Sequence, residues 1–210
     1  MISLTDLIGK EAAELTPSST STFLSRGLNV ATWRYTSPNH SSTHVPIIAI
    51  HGGPGFPHNY ILPLKLITCM SGYSVIFYDQ AGCGKSDRVE KTEKDAPHLL
   101  TLEYYIEEFF SLVEHYSLEE YYVFGSSWGT IIAQEISVLP RRSTGLRGVI
   151  LDGVLSDSEL YIRTQWRDRV STLPSVMQKL LQKLEFEKDY SSPLYQVTLI
   201  YHNLNQFLHS

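Results

Sequence analysis

The β-type run Tyr121-Tyr122-Val123-Phe124 passes without a break into Gly125-Ser126-Ser127-Trp128-Gly129, and that pentapeptide passes into the helix-forming stretch TIIAQEI. A serine centred on a strand-to-helix turn, with glycine two residues before and two after, fits G-x-S-x-G. The chain turns there too sharply for flanking Cβ atoms, and the serine takes a strained backbone that lifts its hydroxyl above a sheet. The first turn of the following helix leaves N–H groups unpaired beside that hydroxyl, where negative charge would develop. Three fixed positions recur by chance in many proteins. The strand before and the helix after give the pattern its weight, and they make Ser127 the candidate nucleophile.

The rest of the chain alternates in the way this feature requires. β-type runs at Ser21 to Arg26 and Leu28 to Thr36, joined at Gly27, read as a hairpin. Val45 to Ile50, Tyr73 to Tyr78, Glu120 to Phe124 and Leu146 to Leu151 are β runs. They are separated by helical spacing at Asn59 to Met70, Leu102 to Tyr116 and Trp128 to Leu139. Apolar strands separated by helices predict an α/β fold: a mostly parallel sheet with right-handed crossovers and an N-terminal antiparallel hairpin. Beyond Gly153 only helical stretches follow, around Glu159 to Arg169, Val176 to Phe186 and Pro193 to Phe207. The expected organisation is an N-terminal extension over 1–20, an α/β core over 21–156 and a partial helical cap over 157–210.

Composition excludes several classes of function. With 17 Lys+Arg against 22 Asp+Glu, a formal net charge of -5, there is no basic excess to neutralise a phosphate backbone, so no nucleic-acid partner is expected. The opening stretch MISLTDLIGKEAAEL carries Asp6, Lys10, Glu11 and Glu14 where a secretory peptide needs an unbroken apolar run. No stretch approaches the ~20 apolar residues of a membrane span. The expectation is a cytoplasmic protein without a membrane partner. Cys69 and Cys83 have no metal or redox spacing and are expected as free thiols; no metal or cofactor is implied.

Two further loops follow β runs. In His51-Gly52-Gly53-Pro54-Gly55, glycine lets a backbone N–H approach a substrate oxygen, so Gly53 pairs with the Trp128 N–H as the expected oxyanion hole. His51 precedes the serine and reads as a structural histidine, because the order on this fold is Ser, acid, His. Tyr78 to Asp87, YDQAGCGKSD, mimics two nucleotide motifs. A P-loop would need glycine where Asp79 stands, and G-x-G-x-x-G fails at Asp87. Asp79 reads as a tie for the loop backbone, with Gly82 and Gly84 permitting close packing.

HGGPG, YDQAGCGKSD and GSSWGT, in this order and each after a β run, resemble the α/β-hydrolase superfamily and, within it, the proline iminopeptidase family. That family carries HGGPG, DQRGxGxS and GGSWG, and SPLYQ near the C-terminus resembles its SPEYQ segment. Ala81 stands where arginine is usual and Ser126 where glycine is usual. The resemblance covers roughly Arg26 onward. It implies a serine hydrolase that releases an N-terminal residue from peptides or cleaves amino-acid amides, with no cofactor and a small peptide or amide as partner.

In the family the triad Asp and His lie after the cap on the last strands. Here the stretch after Ser127 holds one helix, one strand and the cap helices, so the chain reads as C-terminally truncated, its sheet incomplete and its activity absent or weak. Asp152, after the run GVIL, is the alternative acid. His202 and His209 fall in or just after the last helical stretch, and His58 and His115 precede the serine. Family members bind the substrate amine with acidic cap residues; Glu159, Glu185 and Glu187 are available but read as solvated helix faces. Loss of the last strands predicts self-association through an exposed sheet edge. Competing functions are a non-catalytic binding protein of the same fold, and an esterase or lipase acting on a small acyl ester.

Overall fold

The computed structural model describes residues 15–36, 44–88, 100–139, 142, 144–187, 189, 192–195 and 197–198. The chain divides into two compact units, 1–156 and 157–210. In the first, strands β1 (Ser19–Ser25), β2 (Leu28–Tyr35), β3 (Ile47–Ile50), β4 (Val75–Tyr78), β5 (Tyr121–Ser126) and β6 (Leu146–Asp152) form one sheet in the order β1-β2-β4-β3-β5-β6. Strands β1, β2 and β4 pair antiparallel, and β4, β3, β5 and β6 pair parallel. The hairpin starts at Ser19, two residues before the expected Ser21. It turns at Arg26 and Gly27, both at positive φ (45° and 90°), the combination that matches the twist of two adjacent strands.

The period of two sorts the strand residues onto two faces. Ile48, Ile50, Ile76, Tyr78 and Val123 pack against α2 (Leu102–His115) and α3 (Trp128–Ser137) through Tyr105, Phe109, Leu112, Ile132 and Ile136. Ile47, Ala49, Val75 and Phe77 face Ile61, Leu64 and Ile67 on the other side. The segment carrying these last three is not the single helix expected over Asn59 to Met70. It is a 3₁₀ stretch, His58–Lys65, followed by α1, Leu66–Ser71. Pro63 lies inside the 3₁₀ part and has no N–H for a helical bond, and the α form begins only at Leu66. α1 ends at Gly72, whose φ of 77° and N–H bond to the Thr68 carbonyl close the helix in the left-handed region.

In the second unit, α4 (Ser158–Thr164) is capped by Asp157, whose carboxylate accepts the Leu160 N–H at 2.8 Å. One turn of π-helix (Gln165–Arg169), a 3₁₀ turn (Val170–Thr172) and α5 (Ser175–Phe186) follow around Val170, Leu173 and Leu181. Helix also occurs at 193–195 and 197–198. The remainder of the helix expected over Pro193 to Phe207 lies outside the described residues, as do residues 1–14 of the N-terminal extension. Among the described residues β6 pairs with β5 alone. No helix of the described residues is long and apolar enough to cross a membrane.

Candidate active site

Ser127 stands between β5 and α3 with φ 51° and ψ -118°. A non-glycine residue held there costs on the order of 1–3 kcal/mol, so the surroundings must fix it. They do so from both sides. The Ser127 N–H donates to the Asp152 carbonyl at the end of β6 (2.9 Å). The Ser127 carbonyl accepts the Thr130 N–H (2.8 Å) and the Thr130 hydroxyl (2.6 Å). That hydroxyl in turn accepts the Leu155 N–H (2.9 Å), tying the first turn of α3 to the chain after β6. The flanking glycines are sterically required. A Cβ on Gly125 would lie 2.6 Å from the Gly129 carbonyl oxygen, and one on Gly129 2.3 Å from that of Ile50. The Ser127 side chain is left exposed.

The Gly52-Gly53 loop lies directly against this turn. A Cβ on Gly52 would sit 2.7 Å from Tyr60 Oη, 2.9 Å from the Ser126 carbonyl oxygen and 2.9 Å from Ser127 Cβ. The Gly52 N–H donates to Tyr60 Oη, while the Gly53 N–H has no protein acceptor among the described residues. Gly53 has φ 120°, and its peptide bond to Pro54 is cis. Trp128 is the first residue of α3, so its N–H has no partner within the helix. Gly53 and Trp128, the two expected donors, thus occupy the two loops that meet at Ser127.

One buried network joins the three motif loops. His51, with no solvent exposure, accepts the Gln80 N–H at Nε2 (2.9 Å) and therefore carries its proton on Nδ1, donated to the Gly52 carbonyl (2.9 Å). The Gln80 side chain donates to the His51 carbonyl (2.8 Å) and accepts Trp128 Nε1–H (3.2 Å). Burial lowers the imidazole pKa, which suits this neutral, structural role. Cys83 packs beside it, its thiol pushed up to about 12 by burial, so it is no thiolate nucleophile.

Asp79 is consumed in the same floor. One oxygen accepts the N–H (2.9 Å) and Nδ1 (2.8 Å) of His58, and the other accepts the Lys85 N–H (2.9 Å). Burial alone would raise its pKa, but these bonds hold it below the usual carboxylate range. A Cβ on Gly84 would fall 2.0 Å from Asp79 Oδ2, the close packing expected of that glycine.

Glu108 went unnoticed in the sequence. It sits on α2 with no exposure, one oxygen accepting the Ala81 N–H (2.9 Å) and the other without a partner among the described residues, and burial pushes its pKa up to about 8. The available signal was its place on the apolar stripe of α2, one turn after Tyr104 and one turn before Leu112.

Asp152, the alternative acid, is exposed at the end of β6, and its carboxylate accepts the Ser126 hydroxyl (3.2 Å). The described histidines are placed elsewhere: His44 stacks on Tyr73, His51 and His58 are bound as above, and His115 bonds the Ser21 hydroxyl (3.0 Å). Among the described residues no histidine hydrogen-bonds to Ser127 or Asp152, and His202 and His209 lie outside them. A groove of about 440 Å³ along the 3₁₀ stretch and α1 is lined by Tyr60, Ile61, Pro63, Leu64, Leu66, Ile67, Met70, Phe124 and Asp152. In the second unit, Glu185 is bonded by the side chains of Trp166 and Tyr195, and burial raises its pKa. Glu159 and Glu187 are exposed. No group of three His, Cys, Asp or Glu side chains among the described residues is placed to hold a metal ion.

Comparison with known proteins agrees with this geometry. Residues 45–199 match the family described as alpha/beta hydrolase fold. Proline iminopeptidases of Clostridium botulinum and Clostridioides difficile are each 36% identical, over 151 and 154 residues, which is 72% and 73% of this chain and 49% and 50% of theirs. The chain therefore spans about half the length of the curated relatives it matches. A crystal structure of the Mycobacterium smegmatis proline iminopeptidase superposes with a TM-score of 0.66 at 26% identity, covering 86% of this chain and 58% of that one. That of VinJ superposes with a TM-score of 0.72 at 26% identity, covering 88% and 60%. On the match over 45–199, the sheet order and the three motif loops meeting at Ser127, the chain belongs to the α/β-hydrolase fold family, with proline iminopeptidases as its relatives.

Proposed function

We propose that this chain carries the nucleophile half of a proline iminopeptidase-type serine hydrolase, which releases an N-terminal residue from peptides or cleaves amino-acid amides. The observation that carries the reading is Ser127, exposed at φ 51° between the two loops that bear the Gly53 and Trp128 N–H groups. In the reaction Ser127 Oγ forms a bond to the substrate carbonyl carbon, and the carbonyl π electrons move onto oxygen. The N–H groups of Gly53 and Trp128 receive that negative charge. A general base takes the serine proton and gives it to the leaving amine as the C–N bond breaks, and water then attacks the acyl-serine to release the acid and restore the Ser127 hydroxyl.

No described histidine hydrogen-bonds to Ser127, which supports the reading that this chain alone turns substrate over weakly or not at all. Loss of the base of a serine triad costs on the order of 10⁶-fold in turnover, and oxyanion contacts and binding alone leave about 10³ to 10⁴ over water. The test is hydrolysis of prolyl p-nitroanilide, its N-acetylated form and p-nitrophenyl acetate by the chain and by Ser127→Ala. The reading expects a small, equal acceleration by both proteins over buffer, confined to the substrate with a free amine. Fast turnover lost in Ser127→Ala would place a working base inside the chain. Acceleration of the acetate alone would favour an esterase.

A further inference from the structure

We propose that Tyr60 supplies a third hydrogen bond to the oxyanion, beside those of Gly53 and Trp128; this rests on the hydrolase reading of Ser127. Tyr60 lies in the 3₁₀ stretch that follows the Gly-rich loop, and its hydroxyl accepts the Gly52 N–H. That bond uses a lone pair on Oη and leaves the O–H proton to be donated elsewhere. Among the described residues no acceptor receives it. The position of Oη points to where it goes. Oη and Ser127 Cβ both lie within 3.0 Å of the point a Cβ on Gly52 would occupy, so the hydroxyl and the serine share one side of that glycine. Tyr60 is half-exposed and lines the groove that also reaches Asp152.

Two consequences follow from this placement. By taking the Gly52 N–H, Tyr60 leaves Gly53 as the glycine whose N–H faces a substrate. A phenol that accepts one hydrogen bond is polarised toward donating its own, and the charge on a tetrahedral oxyanion draws that donation more strongly than a planar carbonyl does. Tyr60 therefore acts chiefly in the transition state.

The probe is prolyl boronic acid, whose boron accepts Ser127 Oγ to become a tetrahedral anion while the serine proton leaves to solvent; free proline is the planar control. Tyr60→Phe keeps the ring and removes only the hydroxyl. It is expected to weaken boronate binding about 10²-fold, the scale of one oxyanion donor, and to leave proline binding within twofold. Equal boronate affinity in wild type and Tyr60→Phe overturns the proposal and leaves the hydrolase reading standing. Parallel loss of boronate and proline makes Tyr60 a purely structural residue and also overturns it. Absence of any boronate adduct in the wild type that Ser127→Ala removes overturns the hydrolase reading, and Tyr60's role with it.

Discussion

At the scale of single residues, the site depends on close approaches that one atom would destroy. Gly52 is the sharpest case, because an added Cβ meets Tyr60 Oη, the Ser126 carbonyl and Ser127 Cβ, all at 2.9 Å or less. Two of these are backbone or the candidate nucleophile itself and cannot swing away. Gly52→Ala is expected to cost about 1–3 kcal/mol of stability and to displace the Gly53 N–H, lowering boronate affinity by about 10²-fold or more. Thermal unfolding and boronate titration check both parts; an unchanged affinity would mean that the loop is free to move.

Glu108 gives a prediction of different sign. Its carboxyl is held neutral by burial with a pKa up to about 8, against an ordinary value of 4.5 in the unfolded chain. The folded state therefore keeps a proton that the unfolded state releases. The associated stability is full below about pH 4.5, falls by about 1 kcal/mol per pH unit as pH rises, and levels off above about pH 8. Glu108→Gln stays neutral throughout and can still accept the Ala81 N–H. The gap in melting temperature between Glu108→Gln and wild type should widen from pH 5 to pH 8; parallel profiles would show that Glu108 does not titrate in that window.

At the scale of elements, the parts legible in the sequence were those set by neighbours along the chain. The four central strands, the hairpin at Gly27, the turn around Ser127 and the starts of α2 and α3 each carry their own signal in periodicity, a turn residue or a cap. The segment after the Gly-rich loop keeps its apolar spacing, but with Pro63 inside it and no N–H there it divides into a 3₁₀ stretch and α1. What stayed hidden came from contacts between distant segments. The apolar stripe of α2 places Glu108 on the buried face, but nothing local says that its carboxyl meets the Ala81 N–H, and nothing local says that Tyr60 folds back onto Gly52.

The joint between α3 and the chain after β6 is a test at this scale. Thr130 is buried, and its hydroxyl both donates to the Ser127 carbonyl and accepts the Leu155 N–H. Thr130→Val preserves the shape and leaves that N–H unsatisfied, so it should cost about 1–3 kcal/mol in denaturant unfolding. It should also loosen the backbone of Ser127, seen as faster amide exchange at Ser127; an unchanged exchange rate would count against the clamp.

At the scale of the whole molecule, the sheet ends at β6, where Ile150 is 50% exposed and only β5 pairs with the strand among the described residues. An unpaired strand edge with exposed apolar side chains is a template for another chain. Self-association that grows with concentration is the expected behaviour in sedimentation, and a monodisperse monomer with a cooperative melt would contradict it.

The same strand fixes the carbonyl that holds Ser127 in place, so the sheet edge and the site share one element. Ser127 is on this proposal a nucleophile already poised between its oxyanion donors. The direct measurement is the ¹¹B NMR spectrum of prolyl boronic acid with the chain and with Ser127→Ala. A poised Ser127 gives a tetrahedral boron signal with the wild-type chain that disappears in the variant; a trigonal signal unchanged in both would show that Ser127 is not a nucleophile.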